Sequence, residues 1–85
     1  FALGQNYPNP FNPSTNISFS IHASGVVSLQ VFDVLGRAIA TLVNETRAPG
    51  EYSVPWDATD LPSGVYFYKL VAGNSVAVKK LMVAK

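Results

Sequence analysis

Beyond Thr15 the chain alternates between apolar and polar residues. Ile17, Phe19 and Ile21 fall on one face of an extended segment, with Asn16, Ser18 and Ser20 on the other. Period two over such a length predicts a half-buried strand. "HASG" (His22 to Gly25) reads as a turn, after which Val27, Leu29 and Val31 share a face against Ser28 and Gln30. "DVLGR" (Asp33 to Arg37) follows, where Gly36 can take the positive φ of a tight hairpin with a bulge. Ala38 to Val43 is the return strand, and "NETRAPG" (Asn44 to Gly50) is a polar loop. Tyr52, Val54 and Trp56 alternate next, and Pro55, which lacks an N–H, places this strand at a sheet edge or ends it there. "DATDLPSG" (Asp57 to Gly64) turns the chain into Tyr66, Tyr68 and Leu70; "AGNS" (Ala72 to Ser75) turns it again into a last strand, Val76 to Val83. About six or seven strands at roughly ten-residue spacing predict an all-β antiparallel sandwich.

The inward set is then Ile17, Phe19, Ile21, Val27, Leu29, Val31, Tyr52, Val54, Trp56, Tyr66, Tyr68 and Leu70. Trp56, with the largest apolar ring, is expected at the core centre. The last strand breaks the alternation: Val76 and Val78 share a face with Lys80, while Leu81 and Val83 share the other with Lys79. A bulge at Lys79–Lys80 would bring all four apolar side chains inside; the alternative is an edge strand whose charges deter pairing.

The segment before the first clear strand, "NYPNPFNPST" (Asn6 to Thr15), holds three prolines and three asparagines in ten residues. Pro8, Pro10 and Pro13 exclude helix and stiffen the entry. Tyr7 and Phe11 are expected to pack on the sandwich and seat it. Residues 1–15 therefore read as a packed lead-in and 16–85 as the sandwich proper.

With 85 residues and 48% apolar composition there is one domain and material for one core. A chain this short buries only ~60–65% of its unfolded surface, so modest stability is expected. There is no cysteine to add a disulfide or a thiolate metal site. A formal charge of +1 supplies no electrostatic drive toward nucleic acid or an anionic membrane. The chain opens on Phe1 with no secretory leader pattern, which suggests a fragment of a longer protein.

Candidate chemistry is sparse. His22 with Ser14, Ser24 or Ser28 and Asp33 can be drawn as a triad, but no nucleophile elbow orders them. Asp57 and Asp60 are too few carboxylates for calcium and are ordinary turn residues. "NIS" (Asn16 to Ser18) and "NET" (Asn44 to Thr46) match the glycosylation sequon, which recurs by chance. No cofactor site and no catalytic constellation emerge, so no enzyme is expected. "LPSGVY" is more specific: Leu61, Gly64 and Tyr66 match a tyrosine corner, whose phenol bonds backbone a few residues upstream.

The order of motifs adds to this. "YPNPF", with Pro8, Pro10 and Phe11, comes first; "D-x-x-G-R", with Gly36 and Arg37, follows; then "W-D-x-x-x-L-P-S-G-V-Y", from Trp56 through Tyr66; then a lysine-led final strand. Together they resemble the C-terminal sorting domain of type IX (Por) secretion substrates, over nearly the whole chain. The immunoglobulin-like module of flagellar hook-capping proteins is similar over the same strands.

The resemblance implies an immunoglobulin-like sandwich at the end of a secreted cargo, commonly a hydrolase or adhesin. It implies transit through the periplasm to an outer-membrane translocon or receptor, delivery to the cell surface or beyond, and removal by a sortase-like peptidase cutting upstream. It also implies a signal concentrated in the last strand, making Lys79, Lys80, Leu81, Met82, Val83 and Lys85 the candidate recognition residues. Two other readings remain: a structural spacer or hook-cap-like module self-associating through edge strands, and a carbohydrate-binding module using Phe67 and Tyr7.

Overall fold

A computed structural model describes all 85 residues. Seven strands run in the order β1 (Ala2–Leu3), β2 (Ser14–Ile21), β3 (Gly25–Phe32), β4 (Ala38–Arg47), β5 (Gly50–Asp57), β6 (Gly64–Ala72) and β7 (Ser75–Val83). They form two antiparallel sheets, β1-β2-β5 and β4-β3-β6-β7, with no helix. The sandwich read from alternation is therefore the fold. Compared with the constant-type immunoglobulin arrangement of four strands over three, the fourth strand here pairs with the third and belongs to the other sheet. β1 is too short to leave a period in the sequence.

Ten of the twelve residues expected inside are buried. Tyr52 and Val54 face inward but are half-buried, because β5 is the open edge of the smaller sheet. Trp56 is not the core centre. It lies toward one end, 8% exposed, with its ring tilted against Phe11 at 5.8 Å. The centre is Tyr68, the largest side chain with no exposure, among Ile17, Leu29, Leu70 and Leu81. Leu3, Phe11, Val43, Ala58, Leu81 and Val83 complete the core.

The expected bulge at Lys79–Lys80 is absent. β7 runs in unbroken register against β6, with Phe67 opposite Lys80 and Tyr68 opposite Lys79. Leu81 and Val83 point inward, whereas Val76, Val78 and Met82 stay outside at 56%, 55% and 42% exposure. The inner face of β7 is fully covered only at its C-terminal end. The bulges fall between β3 and β4, where Leu42 and Ile39 are passed over in the register. β4 also continues through Asn44, Glu45 and Thr46 to Arg47, residues expected in a loop. As an edge strand it bonds its backbone to β3 and leaves Asn44, Glu45 and Thr46 in water, while Arg47 lies over the Tyr52 ring.

Two local motifs take their expected form. At the β3–β4 hairpin Gly36 has φ +82°, and its N–H donates to the Asp33 carbonyl at 3.0 Å. The Asp33 carboxylate accepts from the N–H groups of Leu35 and Arg37 and from Arg37 Nε. The Arg37 N–H, above all, holds this carboxyl below its ordinary pKa. At the β5–β6 connection the Tyr66 hydroxyl donates to the Pro62 carbonyl at 2.8 Å, closing the tyrosine corner. Tyr66→Phe is expected to lower stability by about 1 kcal/mol through the loss of this bond. Chemical denaturation of the two forms checks it; coincident midpoints would contradict it.

Candidate functional site

The lead-in is the first surprise of the molecule. Tyr7 does not pack; it is 80% exposed because it bridges Asn16, whose side chain faces outward. The residues on either side of that bridge go inside. Phe11 is 2% exposed and wedges between Trp56 and Val83. Asn6 is also 2% exposed. Its Nδ2 donates to Thr15 Oγ1 at 3.1 Å and to the Pro8 carbonyl at 3.2 Å, and Thr15 Oγ1 donates to the same carbonyl at 2.8 Å. Tyr68 reaches up from the core to accept from the Asn6 N–H at 2.9 Å and donate to the Gly4 carbonyl at 2.7 Å. A buried polar cluster is tolerable when its members are satisfied, and then it specifies one arrangement.

This seam carries the chain from the edge of one sheet to the edge of the other. Gly4 N–H donates to Ser18 in β2, and Gln5 Nε2 donates to the Lys80 carbonyl in β7. Asn9 Oδ1 accepts the Met82 N–H, Phe11 N–H donates to the Met82 carbonyl, and Ala84 N–H donates to the Phe11 carbonyl. The lead-in thus covers the C-terminal half of the β7 edge, from Lys80 onward. Sequence reading missed Asn6, Gln5 and Asn9. It also left Thr15 out of the inward set, although Thr15 keeps phase with Ile17, Phe19 and Ile21.

β7 separates its candidate residues by face. Leu81 and Val83 are core; Lys80 and Met82 are exposed on the outer face; Lys79 is half-buried on the inner face. Across the outer face Val65 lies opposite Met82, Phe67 opposite Lys80, Lys69 opposite Val78 and Val71 opposite Val76. Exposed apolar side chains of β7 and half-buried ones of β6 therefore interleave with lysine stems. Lys85 is tied down: its Nζ donates to the carbonyls of Thr59 and Leu61, and its N–H donates to Ser63 Oγ at 3.0 Å. That contact joins the end of the chain to the corner that holds Leu61, Gly64 and Tyr66. Gly36 and Arg37 sit in the β3–β4 hairpin, where Gly36 and Asp33 line a shallow pocket with Phe67, Lys69 and Val78 of the outer face.

Charge is distributed unevenly among the strands. Two ion pairs form, Arg37 with Asp33 and Arg47 with Glu45. Lys69, Lys79 and Lys80 pair with no carboxylate, and none of the five acidic residues lies on β6 or β7.

The other candidates do not assemble. His22 precedes β3 and Asp33 follows it, so roughly 25 Å of strand separates them. Asp57 is engaged by the Thr59 hydroxyl, which with the Thr59 N–H lowers its pKa. No three His, Asp or Glu side chains come together. Tyr7 sits beside β2 and Phe67 on the opposite sheet, so they form no planar row.

No curated protein matches the chain. A family model described as "secretion system C-terminal sorting domain" matches residues 5–84, from the lead-in that caps β7 to the penultimate residue. The chain belongs to that family and is a sorting signal of type IX secretion, the route by which its cargo crosses the outer membrane.

Proposed function

We propose that the domain acts by being bound, not by catalysis, and that an outer-membrane receptor of the secretion machinery reads it at the outer face of β6 and β7. The family match over residues 5–84 carries the sorting reading. The exposed Lys80 and Met82, beside Phe67 and Val65, support placing recognition there. Unpaired cations interleaved with exposed apolar side chains form a surface that a complementary partner can desolvate. In this reading Leu81 and Val83 anchor the strand that presents those groups, and Lys85 fastens its end.

Cargo folded in the periplasm would precede Phe1. A sortase-like peptidase needs an extended, accessible segment, and burial of Leu3, Asn6 and Phe11 ties the lead-in to the sandwich. The proposed cut lies upstream of the domain.

The test fuses a fluorescent cargo to the N-terminus of the domain in a bacterium with type IX secretion. The wild-type fusion should reach the surface. Lys80→Glu with Met82→Ser should leave it in the periplasm, while stability of the isolated domain changes by no more than ~0.5 kcal/mol, as for exposed sites. Undiminished delivery of this variant would remove recognition from the β6–β7 face. Failure of the wild-type fusion to leave the periplasm would overturn the sorting role of this chain.

A further inference from the structure

The backbone of β7 presents a second, more specific feature. Successive residues of a strand direct their N–H and C=O groups to alternate sides, and a strand at the end of a sheet leaves one side unpaired. In β7 the groups directed away from β6 are those of the even-numbered residues. This follows from the bonds that the lead-in makes to the Lys80 carbonyl and to both backbone groups of Met82. The lead-in stops at Lys80. The N–H groups of Val76, Val78 and Lys80 and the carbonyls of Val76 and Val78 face outward without a hydrogen-bonded strand; β1 lies beside β7 but pairs with β2 instead. The register beside them is regular.

The other edges are blunted. β1 is two residues long, β5 carries Pro55 opposite Asn16, and β4 is interrupted by two bulges. The half-edge Val76–Lys80 keeps a regular register, and its lysines deter pairing with any strand that lacks opposing carboxylates.

We propose that this half-edge receives an added β-strand from an acidic, extended segment of the receptor, a refinement that rests on the sorting reading above. Main-chain bonds to Val76, Val78 and Lys80 supply the pairing, and side chains supply selectivity. Val76 and Val78 on the outer face call for apolar neighbours. Lys80 on that face and Lys79 on the other call for carboxylates, because neither lysine has one within the domain. Residues directly opposite on paired strands interact when oppositely charged and repel when alike. The occupant therefore reads apolar, any, apolar, acidic, acidic alongside Val76 to Lys80. A second copy of the domain fits worse, since pairing β7 with β7 places four lysines in one short ladder.

The experiment uses the 85-residue chain and two synthetic peptides, Val-Thr-Val-Glu-Glu and its reverse order, with Lys-Lys in place of Glu-Glu as controls. Amide hydrogen exchange is followed by NMR. An acidic peptide should slow exchange of the Val76, Val78 and Lys80 amides by about tenfold or more, as burial in a ladder does, and the lysine peptides should not. Val78→Pro removes an outward N–H without touching the β6 ladder, so it should abolish this protection, whereas Val78→Thr should retain it. In cells, Val78→Pro should hold the cargo fusion in the periplasm and Val78→Thr should release it.

Shifts of Lys69 and Lys80 side chains without amide protection would overturn strand addition in favour of side-chain contact alone. Protection of the same amides without peptide, with a dimer in sedimentation, would overturn it in favour of self-pairing. Normal delivery by Val78→Pro would overturn strand addition while leaving sorting intact. Failure of the wild-type fusion to be delivered would strike the sorting reading instead.

Discussion

Tyr68→Phe should unfasten the lead-in from the sandwich. The phenol accepts from the buried Asn6 N–H and donates to the Gly4 carbonyl, and phenylalanine can do neither. Losing two such bonds, with one donor left buried, costs about 2–3 kcal/mol. In a domain of this size that lowers the melting temperature by roughly 10–20 °C. The damage should be local first: amides of Leu3 to Asn16 exchange faster, and the β6–β7 ladder follows later. Burial also raises the Tyr68 pKa above the ordinary value of 10.0, since the phenolate is the disfavoured form. The folded group holds its proton more tightly than the unfolded one. Its contribution is therefore complete below pH 10 and is lost as pH rises through the folded pKa. The variant should show a shallower alkaline decline than the parent. Unchanged melting, or lead-in amides as slow as those of β2 in the variant, would show that the seam is not held by this hydroxyl.

Leu81→Ala should be severe for a different reason. Leu81 has no exposure and lies on the inner face of β7, next to the strand's exposed Lys80 and Met82. Truncating a buried leucine costs about 2–5 kcal/mol, from lost transfer energy and the cavity left behind. A small domain without disulfides has little reserve, so a large unfolded fraction is expected at growth temperature. The cargo fusion should then fail to reach the surface although no outward side chain has changed. Leu81→Met, close in volume, should restore both melting and delivery. Thermal denaturation and cargo localisation measured together separate this variant from Lys80→Glu with Met82→Ser, which alters delivery at constant stability. Normal melting of Leu81→Ala would place the residue outside the core. For the same reason, deleting Leu81 to Lys85 removes two core side chains and the Lys85 tie, so its effect on delivery cannot isolate recognition.

Much of the architecture was written locally. Two-residue periodicity in Ser14–Ile21, Gly25–Phe32 and Gly64–Ala72 identifies strands and their inner faces, because a pleated strand beside a core has no other way to sort its side chains. "DVLGR" and "LPSGVY" specify their turns within a few residues, through one glycine at positive φ and one phenol bonded four residues back.

What alternation could not decide is how far each face is covered, since that depends on the neighbour across the sandwich. Trp56 was misplaced because the ring's size says nothing about its distance from the end of the sheet. Tyr52 and Val54 keep the inward phase but lie on an edge. A bulge at the two lysines follows only if every apolar residue of the last strand needs burial; the structure covers Leu81 and Val83 and leaves Val76, Val78 and Met82 outside.

The recognition surface depends on this still more. Lys79, Lys80 and Met82 are visible in the chain, but which of them meets solvent follows from register against β6. The open half-edge exists only because the lead-in ends its pairing at Lys80, a contact between residues 75 positions apart. Strand identity, turn geometry and the family's ordered motifs are local properties, readable along the chain. Coverage, edges and the polar seam of Asn6, Thr15 and Tyr68 arise from contacts between distant segments, and packing in three dimensions alone settles them.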